Sequence, residues 1–191
     1  MKQVKSKSRV VKYGEVFTNK KEVESMINLI PNTSLNTTFL EPACGNGNFV
    51  IEIFKRKMKI AMSVSKDMTD FLRNILIAVS SIYAVDIQKD NVDECKQRIY
   101  KQILRTLKAH KISVNEEFYQ AVELILSYNV ICGNTLSAVM NNGDAMTFSE
   151  WNIDKNFNII RKEQDYNDMI KGTTKYISYE NYSFMNVLLS A

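Results

Sequence analysis

The stretch FLEPACGNGNF, residues 39–49, constrains the fold of this chain more than any other. A short β-prone run, TTFLE at 37–41, leads into a loop with glycines at 45 and 47. From Asn48 the apolar positions Phe49, Val50, Ile53, Phe54 and Met58 recur at helical spacing. A strand, a Gly-x-Gly turn and a helix start make a ligand cradle. Small residues let the backbone come close to a bound group, and exposed N–H groups at the helix start can hold a polar one. In an open α/β sheet such a crevice lies beyond the carboxyl ends of the strands, so further strands must follow.

They do. Helical patterns are expected at 19–30, where Asn19 and Glu22 stand at capping-box spacing, at about 67–80, and at about 115–127 with Ser113 and Glu116 as the box. SIYAVDI, residues 81–87, reads as a buried strand ending in an acid, and Asp90 could cap the helix after it. That helix turns Val92, Cys95, Ile99, Ile103 and Leu107 inward and its basic residues outward. NVIC, residues 129–132, is a third strand candidate closed by a Gly133-Asn134 turn, and FNII at 157–160 a fourth. Strands alternating with helices predict a parallel α/β sheet. After Leu136 the pattern decays, so 137–191 is expected to be atypical.

The chain has 191 residues, enough for one domain, and its 45% hydrophobic content argues against disorder. No apolar run approaches the ~20 residues of a membrane span, and no membrane association is expected. Residues 1–12 are basic with no apolar stretch behind them, which excludes a secretory signal and suggests a flexible tail before a single domain at 13–191. Cys44, Cys95 and Cys132 form neither a disulfide framework nor a zinc spacing, so a cytoplasmic protein without a metal is expected. Cys44 has no histidine partner and reads as packing rather than a nucleophile. His110 reads as solvated, and Trp151 as a packing anchor. Basic clusters at Lys2–Lys12 and Lys96–Lys111 could follow a phosphate backbone or face solvent.

The wording of these segments resembles the N6-adenine-specific DNA methyltransferase family. LEPACGNGNF resembles its S-adenosylmethionine loop, and YGEVFTNKKEVESMI its upstream segment, with Asn19 where Pro is usual. IYAVDIQKDNVDECKQRIY is similar to its acidic second motif, and NVICGNTL to its third. The resemblance covers roughly residues 13–137. It implies a Rossmann-like S-adenosylmethionine-dependent methyltransferase fold with an abbreviated, mostly parallel sheet and extra helices. It also implies cofactor roles for Phe17, Thr18, Glu41, Pro42, Ala43, Cys44, Gly45, Gly47, Asp86, Ile87 and Asn134. Asp86 would meet the ribose, Ile87 the adenine face and Asn134 the base edge, although Gly-Asn is also good turn chemistry.

The family's Asn-Pro-Pro-Tyr stretch, which holds the flipped adenine, is absent, because no proline follows Pro42. The nearest placement puts Glu163 where Asn belongs and Tyr166 on the stacking residue. The resemblance therefore implies an S-adenosylmethionine-binding, DNA adenine-N6 methyltransferase-like protein of a restriction-modification context, incomplete for catalysis alone. DNA is the implied partner, with a second protein supplying target recognition or the missing motif. The alternative is an inactive methyltransferase-fold interaction protein, a pseudoenzyme serving anti-restriction or regulation. A nicotinamide dehydrogenase fits poorly, since a third glycine at the usual spacing is missing.

Overall fold

The computed structural model of the chain describes residues 3–31, 33–173 and 175–184. One layer is a four-stranded sheet in the order β1 (Phe39–Glu41), β2 (Ile82–Asp86), β3 (Val130–Asn134) and β4 (Val139–Met140). The first three strands run parallel, and β4 returns antiparallel to β3. In chain order, helices α1 (Lys7–Tyr13) and α2 (Lys20–Ile27) come before the sheet. Two helices fill each crossover: α3 (Asn48–Val64) and α4 (Met68–Ser80), then α5 (Lys89–Ala109) and α6 (Glu116–Asn129). This is a mixed α/β fold with a mostly parallel sheet, compatible with a Rossmann-like arrangement.

Alternation along β2 sorts the core into two. Ile82 and Ala84 join a large apolar cluster with Phe54, Leu72, Ile99 and Phe118 from the four crossover helices. Tyr83 and Val85 point the other way and meet Ile131, Met146 and Phe148. Because β1, β2 and β3 succeed one another across the sheet, right-handed crossovers bring their helices to one face. The other face is covered by the C-terminal third, which forms β5 (Thr147–Ile153), β6 (Asn158–Asp165), the short α7 (Tyr166–Ile170) and β7 (Tyr176–Ser183). Strands β5, β6 and β7 make a separate antiparallel sheet. The Tyr83 hydroxyl donates to the Ser149 carbonyl at 2.8 Å and fastens the two sheets.

FNII is therefore not a fourth parallel strand. It lies in β6, where Ile159 and Arg161 are buried while Ile160 is exposed. That two-faced alternation suits an antiparallel strand, whereas a central parallel strand is apolar on both sides. Gly133 and Asn134 are not a free turn either: β3 runs through them and pairs with Met140 and Val139. A Cβ at Gly133 would stand 2.9 Å from the Val139 carbonyl oxygen, so glycine is what allows that close approach.

Asn19 caps α2 as its spacing predicts, accepting from the Glu22 N–H at 3.1 Å. Two other cap expectations are corrected. Asn115, not Ser113, caps α6. Asp90 sits inside the first turn of α5, whose N-cap is Gln88, and its carboxylate is turned outward to cations. Those cations come from the segment expected as a flexible tail. Ser6 caps α1 and Gly14, in the left-handed region, closes it. Arg9 Nη1 reaches Asp90 Oδ2 at 2.7 Å, and Lys5 Nζ reaches Asp90 and Glu94 at 2.9 and 3.0 Å. Helix α1 buries none of its residues, so these charge contacts position it. Arg98, expected on a solvated face, instead donates to the Asn46 carbonyl at 2.7 Å and to Asn48 Oδ1 at 2.8 Å.

Trp151 is a packing anchor, its Nε1 donating to Asn129 Oδ1 at 2.8 Å. His110 is exposed, with the Phe71 ring 6.4 Å away. Among the described residues, no helix is long and apolar enough to cross a membrane.

Candidate functional site

A cleft of about 760 Å³ opens at the carboxyl ends of β1, β2 and β3, between the glycine loop and the segment Tyr13–Thr18. Phe17, Thr18, Glu41, Pro42, Ala43, Cys44, Gly45, Asp86, Ile87 and Asn134 all line it. Gly47 does not. It has a φ of +87°, and a Cβ there would come 2.6 Å from Cys95 Sγ, so it fits the loop to α5 rather than to a ligand. Gly45 has a φ of +51° and lies under the Phe17 ring, 3.0 Å from where its Cβ would be.

Four of the loop's N–H groups are engaged within the protein, whereas the start of α3, where N–H groups are expected to face a ligand, has no side-chain cap. Ala43 N–H donates to Glu41 Oε1 at 3.3 Å and Cys44 N–H to the Val85 carbonyl at 2.8 Å. Gly45 N–H donates to Asp86 Oδ2 at 2.8 Å, and Gly47 N–H to the Cys44 carbonyl at 2.8 Å. The loop is thus closed by its own contacts, and Asn48 and Phe49 at the uncapped start of α3 lie in the cleft lining.

Charge completes that picture. Glu15, Glu41 and Asp86 line the cleft, and among the described residues no lysine or arginine does. Asp86 accepts from Gly45 N–H on Oδ2, and on Oδ1 from Gln88 N–H at 2.8 Å and Asn91 Nδ2 at 3.1 Å. A carboxylate has about four lone-pair sites, so roughly one remains for a ligand. Glu15 Oε2 accepts from Arg9 and, at 2.8 Å, from Asn91 Nδ2, while its Oε1 is buried with no partner among the described residues. Burial pushes the Glu41 carboxyl up, with the Ala43 N–H opposing. Contact with Cys95, reinforced by burial, pushes the Cys44 thiol up, so it stays protonated.

Asn134 Oδ1 accepts from Leu136 N–H at 3.0 Å, a turn contact at the edge of the cleft. Leu136 is 97% exposed, Val16 57% and Ile87 43%, giving the mouth an apolar rim. Glu15, Val16 and Leu136 were not singled out from the sequence. Their signal was adjacency alone, since each lies within two residues of a position the resemblance marks.

Glu163 and Tyr166 do not line this cleft. Glu163 accepts from Thr147 Oγ1 at 2.7 Å and Ser178 Oγ at 2.9 Å, and pairs with Arg161 at 3.2 Å. Tyr166 packs on Phe148, with ring centroids 5.9 Å apart.

Over 101 residues, 51% of the chain, the sequence is 29% identical to a Methanocaldococcus jannaschii protein described as "Putative type II restriction enzyme and methyltransferase". The match takes in 8% of that protein, so the chain spans a small part of the relative's length. No family model matches the chain. The similarity is thus to a restriction-modification methyltransferase, with no base specificity attached.

Proposed function

We propose that the cleft binds S-adenosylmethionine, and that the chain is the cofactor-holding part of an adenine-N6 DNA methyltransferase of a restriction-modification system. A partner polypeptide would supply the target-base site. The observation that carries this reading is the acidic lining at the ends of three parallel strands, with no lysine or arginine in it among the described residues. S-adenosylmethionine bears a sulfonium and an ammonium and has no phosphate. A dinucleotide's pyrophosphate would meet three carboxylates here.

The residues fit the cofactor part by part. Asp86 has an acceptor site left for a ribose hydroxyl, and Ile87 offers an apolar face for adenine beside the Asn134 amide. Glu15, with an unpartnered carboxylate oxygen, stands with Phe17 and Thr18 at the other end for the methionyl group. Once bound, S-adenosylmethionine supplies a methyl group activated for transfer to a nucleophile.

The sheet favours a target-base site supplied from elsewhere. A doubly wound sheet continues on both sides of its first strand, and the ligand crevice lies where the order reverses. Here the described strands proceed one way from β1, whose three residues are only half-buried, whereas β2 is buried over four of five. The placement of Glu163 and Tyr166 away from the cleft favours a second reading, an inactive interaction protein of the same fold.

Calorimetric titration separates these. Micromolar binding of S-adenosylmethionine, with none of a nicotinamide dinucleotide, is the expected result. Asp86→Ala should weaken it by about 1–3 kcal/mol through loss of charge-assisted hydrogen bonds; an unchanged affinity would refute the ribose assignment. No binding up to millimolar would leave the interaction protein. With labelled cofactor and unmethylated DNA, the isolated chain should transfer no methyl group, and robust incorporation would defeat the claim that a partner is needed.

A further inference from the structure

Asn91 is outside the cleft lining, yet it is polar and only 1% exposed, its Oδ1 buried without a partner among the described residues and its Nδ2 carrying its side-chain hydrogen bonds. It stands in the first turn of α5. Its Nδ2 donates to two carboxylates, Glu15 Oε2 at 2.8 Å and Asp86 Oδ1 at 3.1 Å. Glu15 Oε2 also takes Arg9 Nε at 3.0 Å, and Arg9 Nη1 reaches Asp90, the residue next to Asn91. The contacts close a ring from Asp86 through Asn91, Glu15 and Arg9 back to α5.

We infer that Asn91 is a positioning residue that aims the Asp86 carboxylate at the ligand and ties that aim to the N-terminal segment. Asp86 has two backbone donors, Gly45 and Gln88, and Asn91 is the one side chain that bonds it among the described residues. Backbone donors hold one site on each oxygen. The amide adds the second contact on Oδ1 and stands between two carboxylates that would otherwise repel. Without it, Asp86 Oδ1 keeps a single donor, and Glu15 loses the group it shares with the cleft. Ligand affinity then falls because the carboxylate no longer rests in the binding orientation before the ligand arrives.

This inference rests on the reading that Asp86 meets the ligand, and a double-mutant cycle separates the two. Affinity for S-adenosylhomocysteine is measured by calorimetry for the intact chain, Asn91→Leu, Asp86→Ala and the double variant, with thermal midpoints recorded alongside. Asn91→Leu should weaken binding about tenfold in the intact chain and less than about twofold in the Asp86→Ala background. Equal losses in both backgrounds would show a purely structural role and overturn the inference. If Asp86→Ala binds as well as the intact chain, the ribose assignment itself has failed, whatever Asn91 does. Should Asn91→Leu not fold, Asn91→Ala removes the donor without adding bulk or charge. The same cycle with that variant must again show a loss confined to the background that retains Asp86.

Discussion

Lys57 lies in the run Lys55-Arg56-Lys57, which in sequence looks like one more solvated basic patch. In the fold it is fully buried in α3, with Nζ donating to the carbonyls of Leu35 and Thr37 at 2.7 and 2.6 Å and of Ser34 at 3.3 Å. Its three donors meet three acceptors at the entry to β1. Burial alone pushes the ammonium down to about 8, while the three carbonyls oppose that and favour the charged form. Lys57→Met leaves those carbonyls without a donor and should cost about 3 kcal/mol, read as a lower urea midpoint at unchanged m. A cost under about 0.5 kcal/mol would show that water replaces the ammonium there. Residues of this kind were illegible because their meaning depends on partners about twenty or more positions away. Glu15 and Asn91 are the same case at a separation of 76. The glycine loop was legible because its chemistry is local: strand, two glycines and helix within eleven residues.

At the scale of elements, α3, α4, α5 and α6 were readable since each has an apolar face that must be buried, as Phe71, Leu72, Ile75, Leu76 and Val79 show in α4. The antiparallel sheet was not. Strand β7 alternates half-buried and exposed residues without one fully buried side chain, so its period barely rises above that of a polar loop. Helix α1 lacked any apolar face and is held by charge, which makes it the element most open to solution conditions. Its neighbours Arg9 and Lys5 hold the Asp90 carboxyl down at about 2, below its ordinary range near 4. A lowered carboxyl contributes stability that is fully present above the unfolded value and is lost as pH falls through the folded one. Docking of α1 should therefore weaken between about pH 4 and pH 2, and also with added salt, since exposed pairs contribute only about 0.2–1 kcal/mol each. Amide exchange at Val10 and Gly14, whose N–H groups bond the Ser6 and Val10 carbonyls, checks this. Faster exchange there, with α5 still protected, is expected; protection retained at pH 2 would mean that something other than charge holds the helix.

For the whole molecule, the question is whether two sheets mean two folding units. Ile153, Phe157 and Ile159 of the antiparallel part belong to the same apolar cluster as α4 and α6. Asn129, wholly buried, donates to the carbonyls of Ser80 and Ile82 at 2.9 and 3.2 Å while accepting from Trp151. One side chain thus links α4, β2, α6 and β5. Fluorescence of the single tryptophan, on β5, should accordingly lose its native signal at the same urea concentration as far-ultraviolet circular dichroism, which follows the helices. A tryptophan transition that comes first would split the chain into two units. The N-terminal segment stands apart from this cooperative body in another respect, which is the order of assembly. Its fastenings to α5 reach across 85 residues from Lys5 and 81 from Arg9, among the longest loops the fold has to close. In a chain growing from the ribosome they cannot form until the start of α5 has emerged, long after β1 and its glycine loop are exposed. Until then a newly made copy carries its glycine loop with one wall of the cleft unfastened. That wall, held by charge with little burial, is also the first to leave when the folded molecule breathes.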